Sequence, residues 1–345
     1  MNLTKLQNKL KYPTLITDEN MIDYLIGQQI HVGERFFGLL ITKTEVKLFI
    51  NHLFPSDLTI NIIRFSDTDD VMALVASYLN EDYLLVDKQL KAGFLLKLLA
   101  LKPTLKVEID DVADKVRSIK DDFEQDKMRK ASQLNDAVMS LVPSFLKVGV
   151  SEREVAESIK KCFIDLGSDA ISFEPIVAFG DHCADPHAMP SLRTLKENES
   201  IIIDMGCLKD GYCSDMTRTF FVNQNPYQDI YNLVKEANSA AEAIIKPGVK
   251  FMDIDKAARD VIEKGGYGDF FIHRTGHGIG RDVHEPYDVS SSNEMLVEEG
   301  MCFSIEPGIY IDGKVGVRIE DLVLVTKNGC EVLNRFPKDA EVLKR

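Results

Sequence analysis

The chain has 345 residues, 45% hydrophobic and 28% charged, with a formal net charge of −14. That mixture fits a soluble globular protein, and the length exceeds one ordinary domain of about 100 to 200 residues, so two domains are expected. The acidic excess, with no basic stripe, argues against a nucleic-acid partner, and no run approaches the ~20 apolar residues that span a bilayer, so a cytoplasmic protein with no membrane partner is expected.

From the N-terminus, strand-like runs (Phe37 to Thr42, Val46 to Asn51, Leu58 to Phe65, Leu84 to Asp87, Leu105 to Ile109) alternate with helical ones (Asp70 to Tyr78, Gln89 to Ala100). The alternation predicts a small α/β domain over residues 1–115. The stretch Asp110 to Gln125, dense in Asp and Lys, reads as a linker that runs into a long helix from about Asp122 to Leu141. Residues 116–345 then make the second domain. The six cysteines, all in this second domain, show no CxxC spacing and read as reduced structural thiols.

In that second domain, Asp204, Asp215, His277, Glu306 and Glu320 each lie within or at the end of an apolar run. A buried carboxylate must be paired or must bind a cation, because the bare charge forfeits several kcal/mol or more of solvation. Ile201-Ile202-Ile203-Asp204 and Ser214-Asp215-Met216-Thr217 flank an Asp210-Gly211 turn and predict one β-hairpin. Phe303-Ser304-Ile305-Glu306 and Val317-Arg318-Ile319-Glu320 flank Asp312-Gly313 and predict a second. Strand parity sets Ser304 with Glu306 on one face and Arg318 beside Glu320.

These hairpins belong to a faint internal repeat. Lys147-Val148-Gly149-Val150, followed by a helical run to Gly167, aligns with Lys246-Pro247-Gly248-Val249 and a run to Gly266, an offset of 246 − 147 = 99. Asp204 then parallels Glu306 and Asp215 parallels Glu320. A pseudo-twofold unit of two helices and a hairpin would bring four carboxylates to one centre.

The ligand order D, D, H, E, E resembles the creatinase/aminopeptidase family of pita-bread metallopeptidases, and within it the Xaa-Pro dipeptidases (prolidases) and Xaa-Pro aminopeptidases. The motifs that carry the resemblance are Ile203-Asp204-Met205-Gly206, Ser214-Asp215-Met216-Thr217-Arg218-Thr219, Gly276-His277-Gly278-Ile279-Gly280, Val283-His284-Glu285-Pro286, Ile305-Glu306-Pro307-Gly308 and Val317-Arg318-Ile319-Glu320-Asp321. They cover roughly residues 117–330; the N-terminal part is similar only loosely, to a creatinase-type domain.

The resemblance implies two divalent ions, Mn²⁺ ahead of Co²⁺ or Zn²⁺ because the donor set is oxygen-rich and lacks thiolates. Asp215 and Glu320 would bridge them, with Asp204 completing one site and His277 and Glu306 the other. Glu306 is a candidate general base; His187 and His284 match two further active-site histidines that contact substrate. Arg318 would hold the bridging carboxylate or a neighbouring acid. Glu285 and Asp321 read as solvated or supporting groups.

The resemblance further implies a homodimer acting on proline-containing dipeptides or short peptides. The expected activity is that of an Xaa-Pro dipeptidase, with Xaa-Pro aminopeptidase as the alternative and a catalytically silent peptide-binding scaffold as a reading from another class. Two departures bear on substrate choice. Asp288 stands where prolidases carry an Arg that binds the substrate carboxylate; Arg281 or Arg193 could supply that charge instead. Asp181 and Asp185, ahead of His187, could favour an α-ammonium group.

Overall fold

The computed structural model describes residues 2–339 and 341–344. The chain divides into two compact units, Met1–Arg117 and Ser118–Arg345. The first is built on a six-stranded sheet in the order Asn61–Phe65, Val46–Asn51, Gly38–Ile41, Thr14–Ile16, Tyr83–Val86, Lys106–Ile109. Period-two alternation gives the sheet two apolar faces. Ile16, Leu39, Ile41, Leu48 and Ile50 join one core with the helices Asn2–Lys9, Glu19–Ile26 and Val112–Ser118. Leu15, Leu40 and Phe49 join the other with Val71–Ser77 and Ala92–Leu101.

Two elements differ from the sequence expectation. The charged stretch read as a linker contains the helix Val112–Ser118, whose Ala113 and Val116 are buried in the first core. Thr14–Ile16, absent from the expected strands, lies inside the sheet, antiparallel to Gly38–Ile41 and parallel to Tyr83–Val86. Three residues are too few for alternation to register, and only their long-range partners make them a strand.

In the second unit the repeat is physical. Ser151 caps the helix Glu152–Asp165 with a full capping box, and Lys250 precedes the helix Phe251–Lys264, an offset of 251 − 152 = 99. Each approach segment is tied to the same place in its half, Gly149 N–H to the Leu195 carbonyl and Gly248 N–H to that of Val297, both at 2.9 Å. A further helix precedes each, Asp122–Met139 and Gln228–Ile244. The two halves have separate cores.

Each predicted hairpin is present but bent in the middle, so that its strands change sheets. Ser200–Met205 pairs with Met216–Val222, whereas Cys207–Lys209 pairs with Tyr212–Cys213 in a different sheet. Likewise Cys302–Ile305 pairs with Asp321–Val325, and Gly308–Ile311 with Val315–Arg318. The bends fall at Gly206, at Ser214-Asp215, at Glu306-Pro307 and at Ile319-Glu320. Gly206 is required at the first of them, since a Cβ there would sit 2.0 Å from the Ser214 carbonyl oxygen.

Candidate active site

The bends decide where the carboxylates go. A strand that leaves one sheet for another exposes its side chains to the gap between them, and Asp215, Glu306 and Glu320 occupy the connecting residues, with Asp204 one residue from the end of its strand. The two hairpins are joined by backbone and hydroxyl bonds: Glu320 N–H donates to the Thr217 carbonyl at 3.1 Å, and Thr219 Oγ1 donates to the Arg318 carbonyl at 2.9 Å. His277 arrives from a third direction, on the strand Gly276–Gly278 beside Cys302–Ile305. The flanking glycine is required by close approach, because a Cβ at Gly276 would meet the Ser304 carbonyl oxygen at 1.9 Å.

All five sequence-predicted donors therefore line one cavity of about 520 Å³, together with His187, His284 and Arg318. Ligand atoms of Asp215, His277 and Glu320 lie within 4.8 Å of one another. His277 Nε2 is 3.7 Å from Asp215 Oδ2 and 3.5 Å from Glu306 Oε1. Its Nδ1 is 3.0 Å from the Gly278 carbonyl, which assigns the proton to Nδ1 and turns the Nε2 lone pair into the cluster. Burial pushes this imidazole down to about 4, so it is neutral at neutral pH.

Burial first, and then the charges of Glu320, Asp204 and Glu306, pushes Asp215 well above the ordinary carboxylate range. Glu320 moves the same way, through burial and then Glu306 and Asp204, against the opposing pull of Arg318 and Thr217. The buried Oδ1 atoms of Asp204 and Asp215 have no hydrogen-bond partner. Like-charged oxygens, two of them orphaned, facing a neutral imidazole nitrogen form a donor set that fits divalent cations and is costly without them.

The supporting contacts run in one direction. Arg318, buried, donates from Nη2 to Asp204 Oδ2 at 2.8 Å, from Nε to Thr217 Oγ1 at 3.1 Å and from Nη1 to Tyr310 Oη at 2.9 Å. Thr217 in turn donates to Glu320 Oε2 at 2.7 Å. Of the two partners expected for Arg318, the neighbouring acid Asp204 is the one bonded, and Glu320 is reached through Thr217.

Residues 126–327 match metallopeptidase family M24. The chain belongs to this family. An uncharacterized peptidase of Staphylococcus aureus is 39% identical over 97% of this chain and 98% of its own length. The crystal structure of the dipeptidase PepE from Mycobacterium ulcerans has a TM-score of 0.94 at 34% identity, covering 100% of this chain and 96% of that one. A recombinant prolidase from Thermococcus sibiricus has a TM-score of 0.88 at 33% identity, covering 99% and 98%. This M24 chain is thus a metallopeptidase with the pita-bread fold and an N-terminal domain.

Several groups of this M24 site were not anticipated. His273 lines the cavity; its Nδ1 is 2.6 Å from the Arg274 carbonyl and its Nε2 is 2.9 Å from Tyr310 Oη. The directional chain Arg318 to Tyr310 to His273 leaves that imidazole neutral, and burial lowers it further. Glu285 is not solvated: it is buried and holds Lys120 at 2.8 Å and the Arg281 N–H at 2.9 Å, clamping the segment that carries His284. Asp321 is buried too, bonded to Arg218 Nη2 at 2.7 Å. The His284 and His277 rings are nearly perpendicular, centroids 4.3 Å apart, and His284 is exposed.

The candidates for charge recognition change. Arg193 is spent on Asp181 (2.8 Å), Glu199 (2.6 Å) and the Phe179 carbonyl (2.8 Å), and neither it nor Arg281 lines the cavity. Asp181 is consequently paired, and Asp185 accepts from the His187 N–H at 2.9 Å. Both acids line an adjoining open groove that reaches the cavity only at His187. The arginine that does line the cavity, besides Arg318, is Arg274, bonded to Asp288 at 2.7 Å. No sequence signal marked it, because its role depends on a residue from the next strand.

Proposed function

We propose that the chain hydrolyses the Xaa-Pro bond of dipeptides with two divalent ions held by Asp204, Asp215, His277, Glu306 and Glu320. The observation that carries this reading is the neutral His277 Nε2 facing four crowded carboxylates inside a cavity large enough for a dipeptide. The similarity to solved structures described as a dipeptidase and a prolidase supports the substrate class. When bound, such ions supply Lewis-acid chemistry, acidifying water and polarising the scissile carbonyl.

The chain's own residues supply the rest. Glu306 Oε1 accepts the proton that the attacking water gives up. His187 and His284, on opposite repeat halves, face the same cavity and offer N–H donors to the carbonyl oxygen as it gains charge. The scissile amide nitrogen of proline carries no hydrogen, so the departing amine must gain a proton as the C–N bond breaks, and these imidazoles stand where that proton can be relayed. Xaa-Pro and water become Xaa and proline. The proposal extends to Mn²⁺ as the preferred ion, a homodimer and cytoplasmic residence, which rest on the oxygen-rich donors and the family resemblance. Among the described residues no helix is long and apolar enough to cross a membrane.

The test is an assay of Leu-Pro against Leu-Pro-Gly with Mn²⁺, paired with metal analysis. The dipeptide should be cleaved, Glu320→Ala should lose both metal and turnover, and His284→Ala should keep metal while losing turnover. Cleavage of the tripeptide alone would replace this reading by an aminopeptidase. A protein that binds no metal and cleaves neither peptide would be the silent scaffold.

A further inference from the structure

Each half of the second unit carries a buried asparagine inside its first helix, Asn135 in Asp122–Met139 and Asn238 in Gln228–Ile244. Both side chains are 0% exposed and sit within the buried stripe of their helix, between Ala131 and Val138 and between Val234 and Ala241. Helix formation does not favour asparagine there. It is a poor helix former, and burying its amide is unfavourable unless hydrogen bonds replace the lost water.

The bonds that the two amides make are equivalent. Asn135 Nδ2 donates to the Met205 carbonyl at 2.9 Å, and Asn238 Nδ2 donates to the Ile305 carbonyl at 2.9 Å. Met205 closes the strand Ser200–Met205, and Ile305 closes Cys302–Ile305. Each asparagine therefore grips the last carbonyl before its hairpin bends, next to Asp204 in the first half and next to Glu306 in the second. The Ile305–Glu306 peptide is held on both sides, because Glu306 N–H donates to the Thr275 carbonyl at 2.7 Å. Thr275 stands just before Gly276 and His277, so one strand end ties both of these ligands together.

The oxygen of each amide is placed differently. Asn238 Oδ1 accepts from Lys338 Nζ at 2.7 Å, which also reaches Glu242 Oε1 at 2.8 Å. Asn135 Oδ1 is buried with no partner among the described residues. An orphaned amide oxygen is destabilising, and a leucine of similar shape would avoid it, so the bond to Met205 is what this amide contributes. Arg318 and Thr217 hold the carboxylate ends of Asp204 and Glu320. The amides hold instead the backbone from which Asp204 and Glu306 project.

We propose that Asn135 and Asn238 are a repeated pair of positioning residues, each fixing one hairpin bend for its own ion: Asn135 for the ion completed by Asp204, Asn238 for the ion completed by His277 and Glu306. These roles rest on the two-ion reading given above. Neither asparagine lines the cavity, so both act only through the strand ends. Groups that orient ligands without touching the ion typically set its affinity by roughly 10- to 100-fold.

Full-length wild type, Asn135→Leu and Asn238→Leu are titrated with Mn²⁺ by calorimetry. Each is then loaded with a single equivalent for pulsed electron paramagnetic resonance, in which nitrogen modulation from His277 marks an ion on that side. The wild type should take up two ions. Each variant should weaken one binding step roughly 10- to 100-fold and leave the other unchanged. The ion retained by Asn135→Leu should show the nitrogen modulation, and the ion retained by Asn238→Leu should lack it. A merely structural amide would weaken both steps alike; that result, unchanged affinities, or the reverse pairing of spectra would overturn the proposal. Should either leucine variant fail to fold, Asn135→Ala or Asn238→Ala carries the same expectation and the same refutations. A wild type that takes up fewer than two ions would instead overturn the two-ion reading, and this proposal with it.

Discussion

Replacing Arg318 by Met tests whether the carboxylate cluster depends on this one buried cation. Its side chain is 3% exposed and lies 2.8 Å from Asp204 Oδ2. At that separation and an effective dielectric of about 20, the attraction is ~6 kcal/mol before desolvation is subtracted. Deleting one member of a buried pair typically costs about 3 to 5 kcal/mol, because the other charge stays behind uncompensated. Tyr310 and Thr217 lose a donor as well, but each keeps its other bond, to His273 and to Glu320. Methionine preserves the apolar stem and the length, so packing changes little. Urea unfolding followed by circular dichroism, with a chelator present so that no ion substitutes for the lost charge, should show a loss of about 3 to 5 kcal/mol. A loss below about 1 kcal/mol, the range of exposed pairs, would refute the claim that the pair is buried and essential.

Two further outcomes follow from neighbouring contacts. Thr217→Val keeps the shape but removes the hydroxyl between Arg318 Nε and Glu320 Oε2, and metal titration should show affinity reduced roughly 10- to 100-fold with the fold intact; unchanged affinity would mean that Glu320 is oriented without it. Burial, and then Asp321, pushes Glu242 up to about 7 against the opposing Lys338. The folded state therefore keeps a proton that the unfolded chain releases near 4.5, so stability from this group falls as pH rises from about 4.5 to 7 and is gone above that. Glu242→Gln mimics the protonated form, and melting temperatures at pH 5 to 8 should show a flatter decline and a gain above pH 7 on the order of 2 to 3 kcal/mol; an unaltered slope would contradict it.

That Asp204, Asp215, Glu306 and Glu320 share one cavity was legible because carboxylates within apolar runs are physically out of place, and a run such as Ile201-Ile202-Ile203-Asp204 advertises the conflict locally. The repeat was legible because each half restates its glycine and its helix at the same offset. The bends that break each hairpin were not, since a change of sheet at Gly206 depends on the approach of the Ser214 carbonyl rather than on residue type. Thr14–Ile16 escaped for a similar reason, as its three residues are a strand only through partners in the rest of the sheet.

By itself the sequence determined which carboxylates are out of place in apolar runs, and that two copies of one unit carry them. The tertiary structure decided who holds those side chains and what else shares their cavity. Arg318 reaches Asp204 across 114 positions, Thr217 reaches Glu320 across 103, and Lys120 reaches Glu285 across 165. Arg274 is separated from Asp288 by only 14 positions, yet their bond depends on how two strands are laid side by side. Burial cost is a property of a residue in its own run and can be read there. A hydrogen bond between distant residues exists only once folding has set both ends in place.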